Sequence, residues 1–191
     1  TEDWRLGALY IQTAADADNE IAAFNNLMTT VQRKVGKRSN VNFFLVNRQA
    51  TARERYRSTD QEYNRVIGAD YNLASADNVF RGRLHVHKSL QPGDHKGNFS
   101  TQAVFFYNPR EWLVITDISL VDKDFRADLG FVPRTDVIRL GQAVQRIFYP
   151  QKSIFNTHRL MLLLLNDHKP SESFRKTDHT YSLRYEAQFR D

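Results

Sequence analysis

The sequence predicts an all-β fold, namely an antiparallel transmembrane β-barrel of the outer-membrane type or a large part of one. Apolar and polar residues alternate along most of the chain, as in strands with two different faces. Several alternating segments reach about 9–11 residues, the length that crosses a bilayer at the tilt of a barrel strand. The longest apolar run, residues 160–165, is far shorter than the ~20 residues of a membrane-spanning helix. A mean hydropathy of −0.58 fits strands with one face toward a polar lumen.

Nine segments are predicted to be strands, each ended by turn residues or by a polar stretch. They are residues 4–13, 25–35, 40–49, 64–74, 79–90, 99–107, 112–121, 156–166 and 181–189. The polar segment 51–62 is predicted to be a loop. Because boundaries read from a pattern vary by about 2–4 residues, we expect about eight to ten strands. Residues 1–191 are expected to form a single β-barrel segment.

Alternation lapses over residues 122–150, where Gly130, Pro133 and Gly141 interrupt it. We predict a non-alternating loop there, or a plug-like insertion that folds into the barrel lumen. The alternative to a plug, and the one we favour, is a structural clamp. In it, Gly130 supplies permissive backbone dihedrals, Pro133 rigidifies the chain, and Arg134 pairs with a local carboxylate.

The charge of the chain is basic but mixed. Its 27 Lys and Arg residues exceed its 22 Asp and Glu residues and give a net charge of +5, yet no run of five basic residues occurs. Such interleaving favours a solvated or lumen-facing surface over a nucleic-acid interface. The absence of cysteine agrees with passage through an oxidising periplasm.

Several sequence blocks resemble one family of surface proteins. They lie at residues 34–40, 46–48, 64–73, 77–78, 87–89 and 124–134, and Gly130-Phe131-Val132-Pro133-Arg134 is the most specific piece. In this order they resemble the C-terminal, barrel-like domain of unknown function of Gram-negative surface proteins. Those proteins also have an N-terminal domain like carbohydrate-binding module family 9. The resemblance covers about residues 25–150.

The resemblance implies a location in the bacterial outer membrane and no known catalytic residues. It also implies that the chain is part of a longer polypeptide whose barrel closes with strands outside it. Any glycan would be bound by the carbohydrate-binding-like domain, which is absent here. The motif loop of the family comprises Asp124, Asp128, Gly130, Phe131, Pro133 and Arg134.

Seven charged or histidine side chains are the candidates for lining the lumen. They are Arg81, Arg83, His85, His87, Arg159, Arg184 and Glu186.

Within this set, His85 and His87 are spaced to ligate zinc or copper, but no third ligand is evident, so we expect a wet lumen surface and no metal. Arg81, Arg83 and Arg159 could form an anion-selective constriction. The alternative, which we favour, is ordinary pairing with Asp70, Asp117 or Glu186. Similarly, Asp16, Asp18, Asn19 and Glu20 match no complete calcium loop and predict a polar turn.

No catalytic motif is present, so we predict neither an enzyme nor a cofactor. The expected function is to anchor a surface or periplasmic domain, or to form part of a transport or assembly complex. The expected partners are the lipid bilayer of the outer membrane and other outer-membrane proteins, but not nucleic acid. The alternative is a soluble β-sandwich that binds carbohydrate by stacking on Trp4, Trp112, Tyr107 or Tyr149.

Overall fold

The structure is a computed structural model that describes residues 3–51, 61–93 and 96–190. Most of the predicted loop 51–62 lies outside the described residues. Among those described, no helix is long and apolar enough to cross a membrane.

Ten strands form one antiparallel sheet in which each strand pairs with the next along the chain. The strands are β1 (Trp4–Thr13), β2 (Phe24–Val35), β3 (Ser39–Ala50), β4 (Tyr63–Ala74), β5 (Phe80–Leu90), β6 (Phe99–Tyr107), β7 (Trp112–Val121), β8 (Val137–Phe148), β9 (Phe155–Lys169) and β10 (Arg175–Phe189). A 3-10 turn, Pro170–Glu172, precedes β10. The predicted all-β, antiparallel architecture is therefore confirmed.

Strand β8 corrects one prediction. The segment 122–150 was expected to be non-alternating throughout, but from Val137 to Phe148 it forms a regular strand between β7 and β9. Gly141 had suggested a break. In the sheet, a side chain at this position would bring its Cβ within 3.1 Å of Leu165. The glycine thus makes room for a neighbouring leucine, and the irregular segment is limited to residues 122–136.

The sheet is open rather than closed into a barrel. In the described part of the chain, β1 pairs only with β2 and β10 only with β9. Every residue of β1 is exposed, as are most residues of β10. Both edges therefore present unpaired backbone groups.

The connections differ between the two ends of the sheet. At one end, the turn end, three to six residues join the strands; these are 36–38, 75–79, 108–111 and 149–154. At the other, the loop end, five to fifteen residues join them; these are 14–23, 51–62, 91–98, 122–136 and 170–174. All long connections thus emerge on the same side.

Alternating residues give the sheet two unlike faces. We call the face against which residues 122–136 pack the inner face, and the opposite one the outer face. The strand residues in the buried apolar core all lie on the inner face: Phe24, Ala50, Val66, Val137 and Ala143. The outer face exposes Leu6, Phe43, Ile67, Leu84, Val86, Phe105, Ile118, Leu140, Leu160, Leu162 and Leu183. The inner face is therefore partly buried, whereas large apolar side chains of the outer face remain exposed.

Candidate functional site

A polar network occupies the middle of the inner face, across β3, β4 and β5. Asp70 accepts hydrogen bonds at Oδ1 from Arg83, at 3.2 Å, and at Oδ2 from Asn42, at 3.3 Å. Nε2 of His87 lies 3.1 Å from the same Oδ1 atom. Asp70 is 8% exposed, so these contacts compensate a carboxylate that is largely removed from water.

Two histidines stand side by side next to this carboxylate. Because β5 alternates, His85 and His87 point to the same face, and their rings stack with centroids 4.2 Å apart. His85 lies directly across the strand pair from Asp70. One ligand atom from each of the three side chains can be chosen so that all lie within 4.8 Å of one another.

The absence of a side chain at Gly68 shapes this site. Gly68 lies between Phe44 on β3 and His87 on β5 in the cross-strand register. A Cβ at this position would lie 2.5 Å from both rings. The two rings instead meet over the glycine, edge to face, with centroids 4.8 Å apart. Phe44 and Gly68 therefore fix where the imidazole of His87 stands.

Residues 122–136, which we call the cover segment, lie over the loop-end half of the inner face. Two buried polar side chains attach it. Asn64 donates to the carbonyl of Arg126, at 3.1 Å, and accepts from the amide of Asp128, at 2.9 Å. The hydroxyl of Ser89, which is 0% exposed, accepts from the amide of Arg126 at 3.2 Å. Side chains of β4 and β5 thus replace the backbone partners that a strand would provide.

An ion pair cluster holds the same segment. Asp128 contacts Arg48 of β3 at 2.8 Å and Arg126 at 2.5 Å. Burial by itself would raise the pKa of the Asp128 carboxyl, but hydrogen bonds from Arg126 and Arg48 outweigh it and hold that pKa below its ordinary value. The carboxylate is therefore ionised when the segment is docked.

A cavity of about 280 Å³ remains between the cover segment and the sheet. His85 and His87 contribute to its floor, together with Phe44. Phe125, which is 8% exposed, and Phe131 belong to its cover. The cavity is mainly apolar, with the two imidazoles as its titratable groups.

A second charged cluster lies at the loop end of β8, β9 and β10. Arg139 forms two hydrogen bonds of 2.8 Å to Asp167. Arg134 reaches from the cover segment to Asp178 at 2.7 Å, and lies 3.6 Å from Asp167. The predicted carboxylate partner of Arg134 thus exists, but on distant strands rather than nearby in sequence.

The seven side chains predicted to line a lumen share the inner face, according to the strand register. Their role as lumen lining stays a prediction because the described sheet is open. The alternative of charge pairing is observed for Arg83 with Asp70 and for Arg159 with Glu186, the latter at 3.9 Å. Arg184 also lies near Glu186, at 3.8 Å. Arg81 stacks over the ring of Phe106, 5.8 Å from its centroid.

Two predictions about the motif loop can be compared with its geometry. Gly130 has no positive φ, so the expected need for permissive dihedrals is wrong. A Cβ there would lie 3.4 Å from the Cβ of Ala127, which is an ordinary van der Waals contact, so the space around Gly130 does not require glycine either. Phe131 is 89% exposed, and Gly130, Pro133 and Arg134 are exposed as well. Asp124 and Asp128 are half-buried.

The polar turn at residues 16–20 matches its prediction. Asp16 accepts hydrogen bonds from the backbone amides of Asp18 and Asn19, at 3.1 and 3.2 Å, and from the side chain of Asn19 at 2.7 Å. The carboxylate therefore closes its own turn.

Asp70 was not recognised as a partner of the two histidines, and the expectation that no third ligand is nearby is wrong. The signal was present in the sequence. The turn at residues 75–79 pairs Ala74 with Arg81. Counting four residues away from the turn along each strand therefore places Asp70 opposite His85. The attachment of the cover segment to Asn64 and Ser89 has no comparable local signal.

Comparison with family models, curated proteins and solved structures finds no match to this chain. The resemblance to a barrel-like surface domain therefore remains a prediction.

Proposed function

We propose that this chain is part of an outer-membrane β-barrel, with its outer face in lipid. In the bacterial outer membrane it would anchor a surface or periplasmic domain, or form part of a transport or assembly complex. The observation that supports this most is the outer face, which is apolar in the middle and aromatic toward both ends. An exposed apolar surface of this extent is expected to contact another apolar phase. An apolar band between two aromatic belts is typical of a surface that faces lipid.

The aromatic residues of the outer face form two belts. Toward the loop end they are Tyr10, Tyr63 and Phe99, and toward the turn end Trp4, Tyr71, Phe80, Tyr107, Trp112, Phe148 and Tyr185. Amphipathic aromatic rings are typical of the two membrane–water interfaces.

Basic side chains accompany several of these rings. Arg65 lies over Tyr63, 4.7 Å from the ring centroid, and Lys88 over Phe99, 5.0 Å away. At the other end, Arg146 lies 4.7 Å from the ring centroid of Trp112. Such cations suit the headgroup region, where long basic side chains reach water from a membrane-embedded strand.

The spacing of the belts matches a bilayer. On β4 the aromatic residues Tyr63 and Tyr71, and on β6 Phe99 and Tyr107, bracket the apolar middle of the strand. Each pair is eight residues apart, which is about 26 Å along a strand. At a tilt of about 40° this gives a height of roughly 20 Å, comparable to the ~25 Å apolar band of outer-membrane barrels.

Two further features support the proposal. Short turns at one end and long connections at the other are typical of such barrels. Moreover, unpaired strand edges are not tolerated in hydrocarbon, so β1 and β10 need pairing partners there. We infer that the membrane form pairs both edges with further strands.

The alternative of a soluble carbohydrate-binding sandwich has less support. A sandwich packs two sheets face to face, whereas the described strands belong to a single sheet. Trp4 and Trp112, two of the four suggested stacking platforms, are on the outer face within the turn-end belt.

The test compares folding in aqueous buffer with folding in detergent micelles. We expect strand circular dichroism, and heat-dependent migration on a gel, to appear only in micelles. A monodisperse, β-rich protein in plain buffer would overturn the proposal and make glycan binding the next assay.

A matched pair of variants sharpens this test. Leu183→Arg places a charge on the outer face, where Leu183 is 72% exposed, and Ser182→Arg places it on the inner face one residue earlier. A basic residue on the lipid face costs about 2–4 kcal/mol near the bilayer midplane. We therefore expect Leu183→Arg to impair insertion into vesicles and Ser182→Arg to insert like the unmodified chain. Equal behaviour of the two variants would contradict a lipid-facing outer surface.

A further inference from the structure

We propose that Asp70, His85 and His87 form a binding site for a divalent transition-metal cation, for which Zn²⁺ is the appropriate probe. The site goes beyond the proposed membrane role and does not depend on it, because its three ligands lie within one strand pair on the inner face.

The donor set defines the class of cation. Two imidazole nitrogens and one carboxylate oxygen suit zinc and other late first-row metals, whereas calcium and magnesium prefer oxygen ligands alone. Zinc takes such ligands at about 2.0–2.2 Å, which puts tetrahedral ligand atoms roughly 3.4 Å apart. Here Nε2 of His87 already lies 3.1 Å from Oδ1 of Asp70, and all three donors lie within 4.8 Å. Small side-chain rotations therefore suffice to close the set around one ion.

His85 provides an independent observation. Its Nδ1 atom is buried and has no hydrogen-bond partner in the described protein. Leaving a buried polar atom unsatisfied is unfavourable by about 1–3 kcal/mol. A bound cation would give this nitrogen a partner, either directly or after rotation of the imidazole ring.

The surroundings hold the other two ligands in place. Asn42 fixes one oxygen of Asp70, and the ring of Phe44 packs on His87 over Gly68. Such supporting contacts orient ligands in metal sites. Arg83 opposes a cation by its charge. Its side chain, however, is 49% exposed and its bond to Asp70 is 3.2 Å long, so it can turn toward solvent when the carboxylate binds a metal.

One coordination position remains for a ligand other than these three side chains. His85 and His87 line the cavity beneath the cover segment, and Ser100 lies on the same wall. Two histidines and one carboxylate leave a tetrahedral ion with one vertex free. Because both histidines line the cavity, it provides space at that vertex for water or for a small donor ligand.

The experiment is a zinc titration of the folded chain in competition with a chromophoric chelator. We expect one equivalent to bind, and His85→Gln and His87→Gln each to weaken binding by about tenfold or more, since even supporting residues of metal sites contribute 10–100-fold. His158→Gln is the matched control, because His158 is on the outer face and its Nδ1 lies 2.6 Å from the hydroxyl of Tyr185. Circular dichroism establishes that each variant is folded.

A second measurement needs no variant. Histidine modification by diethyl pyrocarbonate, followed by peptide mass spectrometry, is compared with and without Zn²⁺. Protection of His85 and His87 but not of His158 and His179 supports the site. The proposal is overturned if the chain binds no stoichiometric zinc, if protection is equal at all four histidines, or if the two glutamine variants bind zinc as the control does. Each outcome is independent of whether the chain inserts into a membrane.

Discussion

Replacing Asn64 by alanine removes the main attachment of the cover segment without touching any charge. Its side chain is 3% exposed and makes hydrogen bonds of 3.1 and 2.9 Å to the backbone of Arg126 and Asp128. Depriving a buried backbone group of its partner costs about 1–3 kcal/mol. Because the two backbone groups that lose this partner are only partly buried, we expect undocking of the segment to become easier by about 2–4 kcal/mol, or roughly 30- to 700-fold in equilibrium constant at 1.4 kcal/mol per factor of ten.

Amide hydrogen exchange measures this opening directly, because local unfolding limits the exchange of protected amides. We expect peptides covering residues 126–130 to exchange roughly 30- to 700-fold faster in Asn64→Ala, while peptides of β9 keep their rates. Asn47→Ala is the control, since Asn47 bonds Arg65 at 2.8 Å in an exposed position away from the segment. Unchanged exchange at residues 126–130, or equal acceleration in the Asn47 variant, would refute this account of how the segment is held.

Three further predictions concern the same face of the sheet. Gly68→Ala places a Cβ 2.5 Å from the ring of His87, so we expect a loss of about 1–3 kcal/mol in denaturant unfolding, as in overpacked sites, together with weaker zinc binding. Phe125→Ala empties the buried anchor of the cover segment, and a cost of up to about 3–5 kcal/mol should appear as faster proteolysis within residues 122–136. The lowered pKa of Asp128 makes docking depend on pH: its contribution is fully present above the ordinary pKa of 3.8 and is lost as pH falls through the lower, folded value. Cleavage of the segment by pepsin should therefore rise on acidification below about pH 4, and Asp128→Asn should remove most of that dependence.

The strands and their two faces could be predicted from the sequence because the cause is local. Side chains of a strand alternate with a period of two, so the pattern shows which residues share a face before any partner strand is known. The seven charged and histidine residues were placed on one face in this way, and the register agrees. Even the pairing of Asp70 with His85 follows from a short turn and simple counting.

Strand β8 shows where a local pattern misleads. Glycine is a common signal for a break, but Gly141 lies within the sheet because Leu165 of the next strand occupies the space beside it. A neighbour's volume is a property of packing and has no signature in the glycine's own segment.

Only the tertiary structure revealed how the cover segment is held. Asn64 and Arg126 are 62 positions apart, and Arg48 and Asp128 are 80 apart. Their contacts depend on the accumulated register of several strand pairs, each of which must be correct to one residue. The sequence by itself determined the alternation, most of the strands and the shared inner face, because these need only neighbours along the chain. The tertiary structure decided the open edges, the docking of residues 122–136 and the third ligand's distance, because these depend on side chains that meet only after the whole sheet has formed.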